Sequence, residues 1–167
     1  MRKICLFLTL VLLLGCFAGC QAAPAAQRSI ENEDGTLSDW MKEEIEGVFY
    51  KESGPHAYWG TWWNPNQPLD GDVFYYGTYN GYVMYHRPSP LDGVKEYTIA
   101  GYEFSFPTYV GISAYKDGEF YELDKLYEKK LVDKEDVRVV YERYCQVYEI
   151  IEQYRELQEK ANRRESC

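Results

Sequence analysis

The chain is short of the side chains that usually carry chemistry. Two histidines, His56 and His86, occur in 167 residues, with no Gly-x-Ser-x-Gly elbow and no reactive-cysteine signature. Nucleophilic catalysis needs a nucleophile beside an oriented base, and neither histidine has one in sequence. His56 follows Ser53-Gly54-Pro55 and is expected in a loop, and His86 at a strand end opposite Tyr75, both as plain surface or edge residues. A zinc site needs three or four His, Cys or carboxylate ligands, and no usable spacing exists. Asn64, Asn66, Asp70 and Asp72 make an oxygen-rich loop, but Pro68 falls where a calcium ligand is required and no bidentate Glu follows. That loop reads as a solvated turn. Glu43 and Glu44 are expected on an exposed helix face, where they cannot flank a glycosidic bond. Gly77, Gly81 and Gly101 belong to strands and turns and form no phosphate-binding loop. The expectation is no catalytic residue, no metal and no cofactor.

Positive charge is also scarce. Eighteen Lys and Arg face 27 Asp and Glu, a net −9, and such a surface repels a phosphate backbone, so nucleic acid is not an expected partner. There are five cysteines. Cys145 and Cys167 would lie roughly 30 Å apart along one helix at 1.5 Å per residue, which excludes a disulfide between them.

A long membrane span is missing as well. The apolar run Ile4 to Phe17 is about 14 residues, against roughly 20 for a bilayer. Arg2 and Lys3 before it and Ala18-Gly19-Cys20 after it have the order of a secretory signal. The small pair before Cys20 resembles a bacterial lipoprotein signal, which implies that residues 1–19 are removed and Cys20 is acylated. Phe17 departs from the Leu usual at that position. Leu13-Leu14-Gly15-Cys16 offers Cys16 as an alternative, with bulky Leu14 against it. Each buried methylene of an acyl chain contributes about 0.8 kcal/mol, so a multiply acylated Cys20 would hold the chain on a membrane. Loss of Arg2 and Lys3 leaves 16 basic against 27 acidic residues, a net −11.

Residues 20–35 are polar and Ala/Pro-rich and read as a flexible tether, followed by one domain over 36–158 and a frayed polar tail over 159–167. Thr36 with Asp39 three residues on suggests a capping box, and Trp40, Met41, Ile45 and Val48 predict a helix to about Gly47. Asn80-Gly81 and Asp117-Gly118 are two-residue hairpin turns. The first pairs 74–79 with 82–86, placing Gly77 opposite Met84 and Phe74, Tyr76, Val83 and Tyr85 on one face. The second sets Lys116 opposite Glu119 as a charge pair, with Ile112, Ala114, Tyr121 and Leu123 on its apolar face. Tyr102, Phe104 and Phe106 alternate as a further strand. Leu123, Leu126, Tyr127 and Leu131 mark a short helix. Asp133 with Asp136 starts a long one, whose stripe Val137, Val140, Tyr141, Tyr144, Val147, Tyr148, Ile151 and Tyr154 is core.

Several of these segments together resemble a domain of uncharacterised lipoproteins and exported proteins of Firmicutes. They are Tyr75-Tyr76-Gly77-Thr78-Tyr79-Asn80-Gly81, Ile99-Ala100-Gly101-Tyr102-Glu103-Phe104, Tyr115 to Leu123 and Leu126-Tyr127-Glu128. The likeness covers roughly half of the mature chain, with Lys130 where such proteins often have Gly after the short helix. It implies an α+β fold and an exported location, and it carries no catalytic residue.

What the chain has in excess is aromatic: 17 Tyr and four Trp. Trp59, Trp62 and Trp63 sit together beside Tyr58, and Tyr58-Trp59-Gly60-Thr61-Trp62 echoes Tyr75-Tyr76-Gly77-Thr78-Tyr79, suggesting two similar strands. Strand alternation would put Trp59 and Trp63 on one face and Trp62 on the other, with at least one in the core. Such rings suit sugar faces and peptide surfaces, and also suit a core. The combined expectation is an α+β domain. An antiparallel sheet of four to six strands carries an N-terminal and a long C-terminal helix on one face. It would be lipid-anchored at the extracytoplasmic face of a membrane and act as a non-enzymatic binding module. Trp59, Trp62 and Trp63 are its candidate ligand residues. Cell-wall carbohydrate or peptidoglycan, or a basic envelope protein met as an inhibitor or chaperone, are the candidate partners.

Overall fold

The structure, a computed structural model, describes residues 28–67, 71–87, 95–106 and 111–165. The signal segment, Cys16, Cys20, Pro68, Asp70 and Cys167 lie outside the described residues.

Helix α1 spans Asp39–Ser53. Thr36 does not cap it. The Thr36 N–H and Oγ1 both go to Asp34 Oδ1, at 3.0 and 2.6 Å, closing a turn before the helix. With Thr36 committed there, Ser38 takes the N-cap position, and its carbonyl accepts the first helical N–H groups, from Met41 and Lys42. The helix also passes Gly47 and stops at Gly54, whose φ of +89° ends it. A mid-helix glycine costs about 1 kcal/mol relative to Ala, which the packing of Val48 and Phe49 against the body offsets.

Strands β1 (Phe74–Tyr79), β2 (Tyr82–His86), β5 (Ser113–Lys116) and β6 (Glu119–Glu122) form one antiparallel sheet in the order β1-β2-β5-β6. Strands β3 (Lys95–Ile99) and β4 (Tyr102–Phe106) form a separate hairpin. Helices α2 (Leu123–Glu128) and α3 (Lys134–Glu165) follow. The α+β expectation is thus met. Asn80-Gly81 and Asp117-Gly118 turn as expected, each with both residues at positive φ. Ala100-Gly101 turns the same way, at φ +55° and +91°, and brings in β3, which the sequence reading lacked because Ala seldom takes that conformation.

A bulge corrects the first hairpin. Gly77 faces Met84 as expected, but the register shifts between Tyr75 and Gly77, so Phe74 pairs with His86 and Tyr75 with Tyr85. One extra residue flips every side chain beyond it. Phe74, Tyr76, Tyr82 and Met84 therefore share one face, and Val83 and Tyr85 the other. In the second hairpin Ile112, Ala114, Tyr121 and Leu123 share a face as expected, and Lys116 stands opposite Glu119. Their charges do not meet. Lys116 Nζ bonds Asn80 O at 2.9 Å and lies 4.6 Å from the Tyr82 ring centre, while Glu119 accepts from Tyr121 at 2.6 Å.

Both faces of the sheet are buried. Helix α3, through Val137, Val140, Tyr144 and Ile151, packs with α2 and the β3–β4 hairpin on one face, and α1, through Met41 and Ile45, packs with Trp59 on the other. The two helices thus divide between the faces where one shared face was expected; β2, buried at all five positions, is the reason. Tyr144 Oη ties α3 to β4, accepting from Ser105 N–H at 3.2 Å and donating to its carbonyl at 2.8 Å.

Asp133 caps α3 as expected, accepting from Glu135 and Asp136 N–H while Asp136 accepts from Asp133 N–H. The helix continues to Glu165, through much of the expected tail. Helix α2 is closed by Leu131 N–H to Leu126 O and Lys130 N–H to Tyr127 O, a Schellman pattern with Lys130 at φ +57°. Leu131 itself is exposed at 42%. Cys145 is free and exposed.

Candidate functional site

The Tyr58–Trp62 echo is real in geometry, but of the two expected strand segments only Tyr75–Tyr79 lies in a strand. Gly60 and Gly77 have φ of +106° and +109°. In each segment that kink turns the following Thr N–H toward the carboxylate that the preceding Tyr hydroxyl also meets. Tyr58 Oη donates to Asp72 Oδ2 at 3.1 Å, and Thr61 N–H to Asp72 Oδ1 at 2.8 Å. Tyr75 Oη donates to Glu31 Oε1, and Thr78 N–H to the same oxygen at 3.2 Å. Each Tyr-x-Gly-Thr segment is a carboxylate clamp. At Gly60 no other residue fits, since a Cβ there would stand 1.7 Å from Asp72 Oδ1. Burial pushes the Asp72 carboxyl pKa up, against the lowering by its Thr61 and Tyr58 bonds. Asp72 is therefore a fastening, and Asn64 Oδ1 closes a local turn with Asn66 N–H at 2.9 Å; neither is left in an open ligand loop.

The Glu31 clamp has a larger consequence. It pins the segment before α1, where Glu31 bridges Leu37 and Trp40 Nε1 donates to Ser29 O at 2.8 Å. Residues 29–35, expected in the tether, are tied to the body by these bonds.

Gly60 also breaks the alternation expected of the tryptophans. Trp59 is 2% exposed and lies 5.9 Å from Trp62, ring centre to ring centre, both against the α1 face. Trp63 lies against the opposite cluster, stacked on Phe74 at 5.7 Å. The expected Trp59–Trp63 pair on one face does not form, and Trp59 is core. Trp62 and Trp63 are partly buried, and they meet at a cleft beside edge strand β1.

That cleft holds about 580 Å³, the size of a small-ligand site. Trp62 to Gln67 form one wall, the Glu31-pinned turn with Asp34 and Thr36 another, and Arg143, Gln146, Val147 and Ile150 of α3 the third. Trp62 is oriented by its Nε1 donating to Glu46 Oε1 at 2.7 Å. Lys42 reaches the cleft but pairs with Asp39 at 2.8 Å. The sequence pointed to Trp62 and Trp63. It did not point to Arg143 or Gln146, which read as the polar flank of a core helix.

The histidines stand apart from this cleft. His56 is exposed in a turn, as expected. His86 is not an edge residue: it is fully buried, lies 4.2 Å from the Phe106 ring centre and 6.4 Å from that of Phe74, and neither ring nitrogen has a partner among the described residues. The bulge in β1 set it on the inner face. Burial pulls its pKa down to about 3, so the ring is neutral. Among the described residues no hydroxyl, thiol or carboxylate meets either nitrogen to orient it as a base.

No family model, curated protein or solved structure matches the chain.

Proposed function

We propose that this protein is a lipid-anchored module of the cell envelope that binds carbohydrate in the cleft beside β1 and performs no chemistry on it. The observation that carries the reading is the meeting of Trp62 and Trp63 with the amide residues Asn64, Gln67 and Gln146 around one cleft. Indole faces take the C–H faces of sugar rings, and amides take their hydroxyls. The neutral His86, without a partner among the described residues, and the clamped carboxylates Glu31 and Asp72 support binding without catalysis. Anchoring would run through acylated Cys20, with the residues between it and the Glu31-pinned turn as the spacer.

Titration of the full soluble domain with chito-oligosaccharides and soluble peptidoglycan fragments, read by tryptophan fluorescence, tests the binding. Saturable quenching that is lost in Trp62→Ala is expected; absence of any saturable change contradicts the reading. Incorporation of labelled palmitate tests the anchor, and labelling that persists in Cys20→Ala contradicts it.

A further inference from the structure

Arg143 is half-buried in the wall of the cleft, on the α3 side. Its Nη1 lies 2.7 Å from the point where a Cβ on residue 77 would stand. Gly77, at φ +109° in the β1 bulge, thus leaves the space that the guanidinium fills. The same guanidinium lies close enough to the Tyr75 and Tyr79 hydroxyls for its charge to oppose the rise that burial gives their pKa.

Among the described residues this cation makes no ion pair; the pairs there use Lys42, Lys125 and Arg138. The described carboxylates around it bond other groups: Glu31 accepts from Tyr75 and Thr78, Asp34 from Thr36, and Asp136 from Asp133 N–H. A half-buried guanidinium on the cleft wall, paired with no described carboxylate, is available to an anionic group of a ligand. Its planar fork of five N–H donors matches a carboxylate in bidentate fashion. Asp34 on the same cleft, and the net negative charge of the chain, weigh against a polyanion or a phosphate dianion.

We propose that the cleft takes a sugar residue bearing a carboxylate, and that Arg143 is the residue that reads it. This rests on the carbohydrate reading above and adds the class of sugar. A uronate and an ether-linked lactyl acid share that chemistry.

Calorimetric titration with two matched pairs tests it. The first pair is the N-acetylglucosamine–N-acetylmuramic acid disaccharide against N,N′-diacetylchitobiose, which lacks the lactyl carboxylate. The second is methyl galactopyranosiduronate, a monoanion, against its methyl ester. In at least one pair the acid is expected to bind about tenfold more tightly, a ratio equivalent to about 1.4 kcal/mol. The pair that shows it identifies the source of the carboxylate. Arg143→Gln is expected to bind both members alike, Arg143→Lys to restore part of the preference, and Lys125→Gln to keep it, because Lys125 lies outside the cleft lining and pairs with Glu128. Equal binding of acid and neutral partners by the unsubstituted protein overturns the inference and leaves the carbohydrate reading standing. A preference for a glycerol-phosphate polymer also overturns it. Binding of neither pair overturns the carbohydrate reading itself. Should Arg143→Gln fail to fold, the acid-to-neutral ratio of the unsubstituted protein decides alone.

Discussion

Replacing His86 with Leu should make the protein more stable, and increasingly so as the medium is acidified. In the folded state the ring is fully buried beside Phe74 and Phe106, and its pKa falls from an ordinary 6.5 to about 3. The unfolded chain therefore binds a proton below about pH 6.5 that the folded chain refuses until about pH 3. Stability from this group is fully present above 6.5 and is lost as pH falls, by about 1.4 kcal/mol per unit. From pH 8 to pH 5 the loss is about 2 kcal/mol, a large part of the 5–15 kcal/mol that holds a typical domain. The carboxylates whose pKa is lowered, Asp34, Asp39 and Glu135, lose their contribution only below their ordinary values of 3.8 to 4.5, and Asp72, raised by burial, is common to parent and variant, so their difference isolates the histidine. His86→Leu also removes two buried polar atoms without partners, a gain of about 1–3 kcal/mol at neutral pH before any packing cost. Urea unfolding at intervals between pH 5 and 8, followed by tryptophan fluorescence, measures both effects. The stability difference between variant and parent should widen by about 2 kcal/mol across that range. Parallel profiles, or a His86 ring that titrates near 6.5 by NMR in the folded protein, would refute the reasoning.

Other substitutions test the local arguments. Gly47→Ala should raise stability by about 0.5–1 kcal/mol in thermal unfolding, because a Cβ there meets nothing within 4 Å and the site is inside α1. Lys130→Gly should add about 1 kcal/mol by relieving a left-handed lysine in the Schellman turn, and a loss on this substitution would contradict the turn. Glu31→Ala should cost about 1–3 kcal/mol, since it strands Thr78 N–H and leaves Tyr75 Oη with Thr78 Oγ1 as its one partner among the described residues. The same change should raise hydrogen exchange at residues 29–37 before any other segment; uniform loss of protection would dissociate Glu31 from the latch.

Where the sequence could be read, a local rule and the tertiary structure agreed. Asn80-Gly81 and Asp117-Gly118 force positive φ at two successive positions, and the Val137-to-Ile151 stripe has one period that fits one buried face. The failures have a common origin in single-residue backbone events that no periodicity reports. The bulge at β1 exchanged the faces of Val83 and Tyr85 and drew His86 into the core. Gly60 did the same to Trp59 and Trp63. Ala100 hid a turn by being neither Asn nor Gly. Two partners of the candidate site come from distant segments: Glu31 clamps residues 44 and 47 positions away, and Arg143 enters through a helix whose polar face looked merely solvated. The Tyr-x-Gly-Thr echo was visible as a pattern, but its carboxylate partners are separated in sequence, so its meaning was not.

The central claim is that the cleft between the Trp62–Gln67 wall and α3 is where this protein meets its ligand. The four tryptophans provide a direct reading of it, because each contributes one indole N–H signal in a proton–nitrogen correlation spectrum. On addition of the carboxylate-bearing disaccharide, the Trp62 and Trp63 indoles and the Arg143 side chain should shift together with one saturation curve. Buried Trp59 should shift little and Trp40, beyond the Glu31 latch, not at all. Unmoved Trp62 and Trp63 signals under saturating glycan, or shifts centred on Tyr50 and Tyr58 instead, would contradict the account.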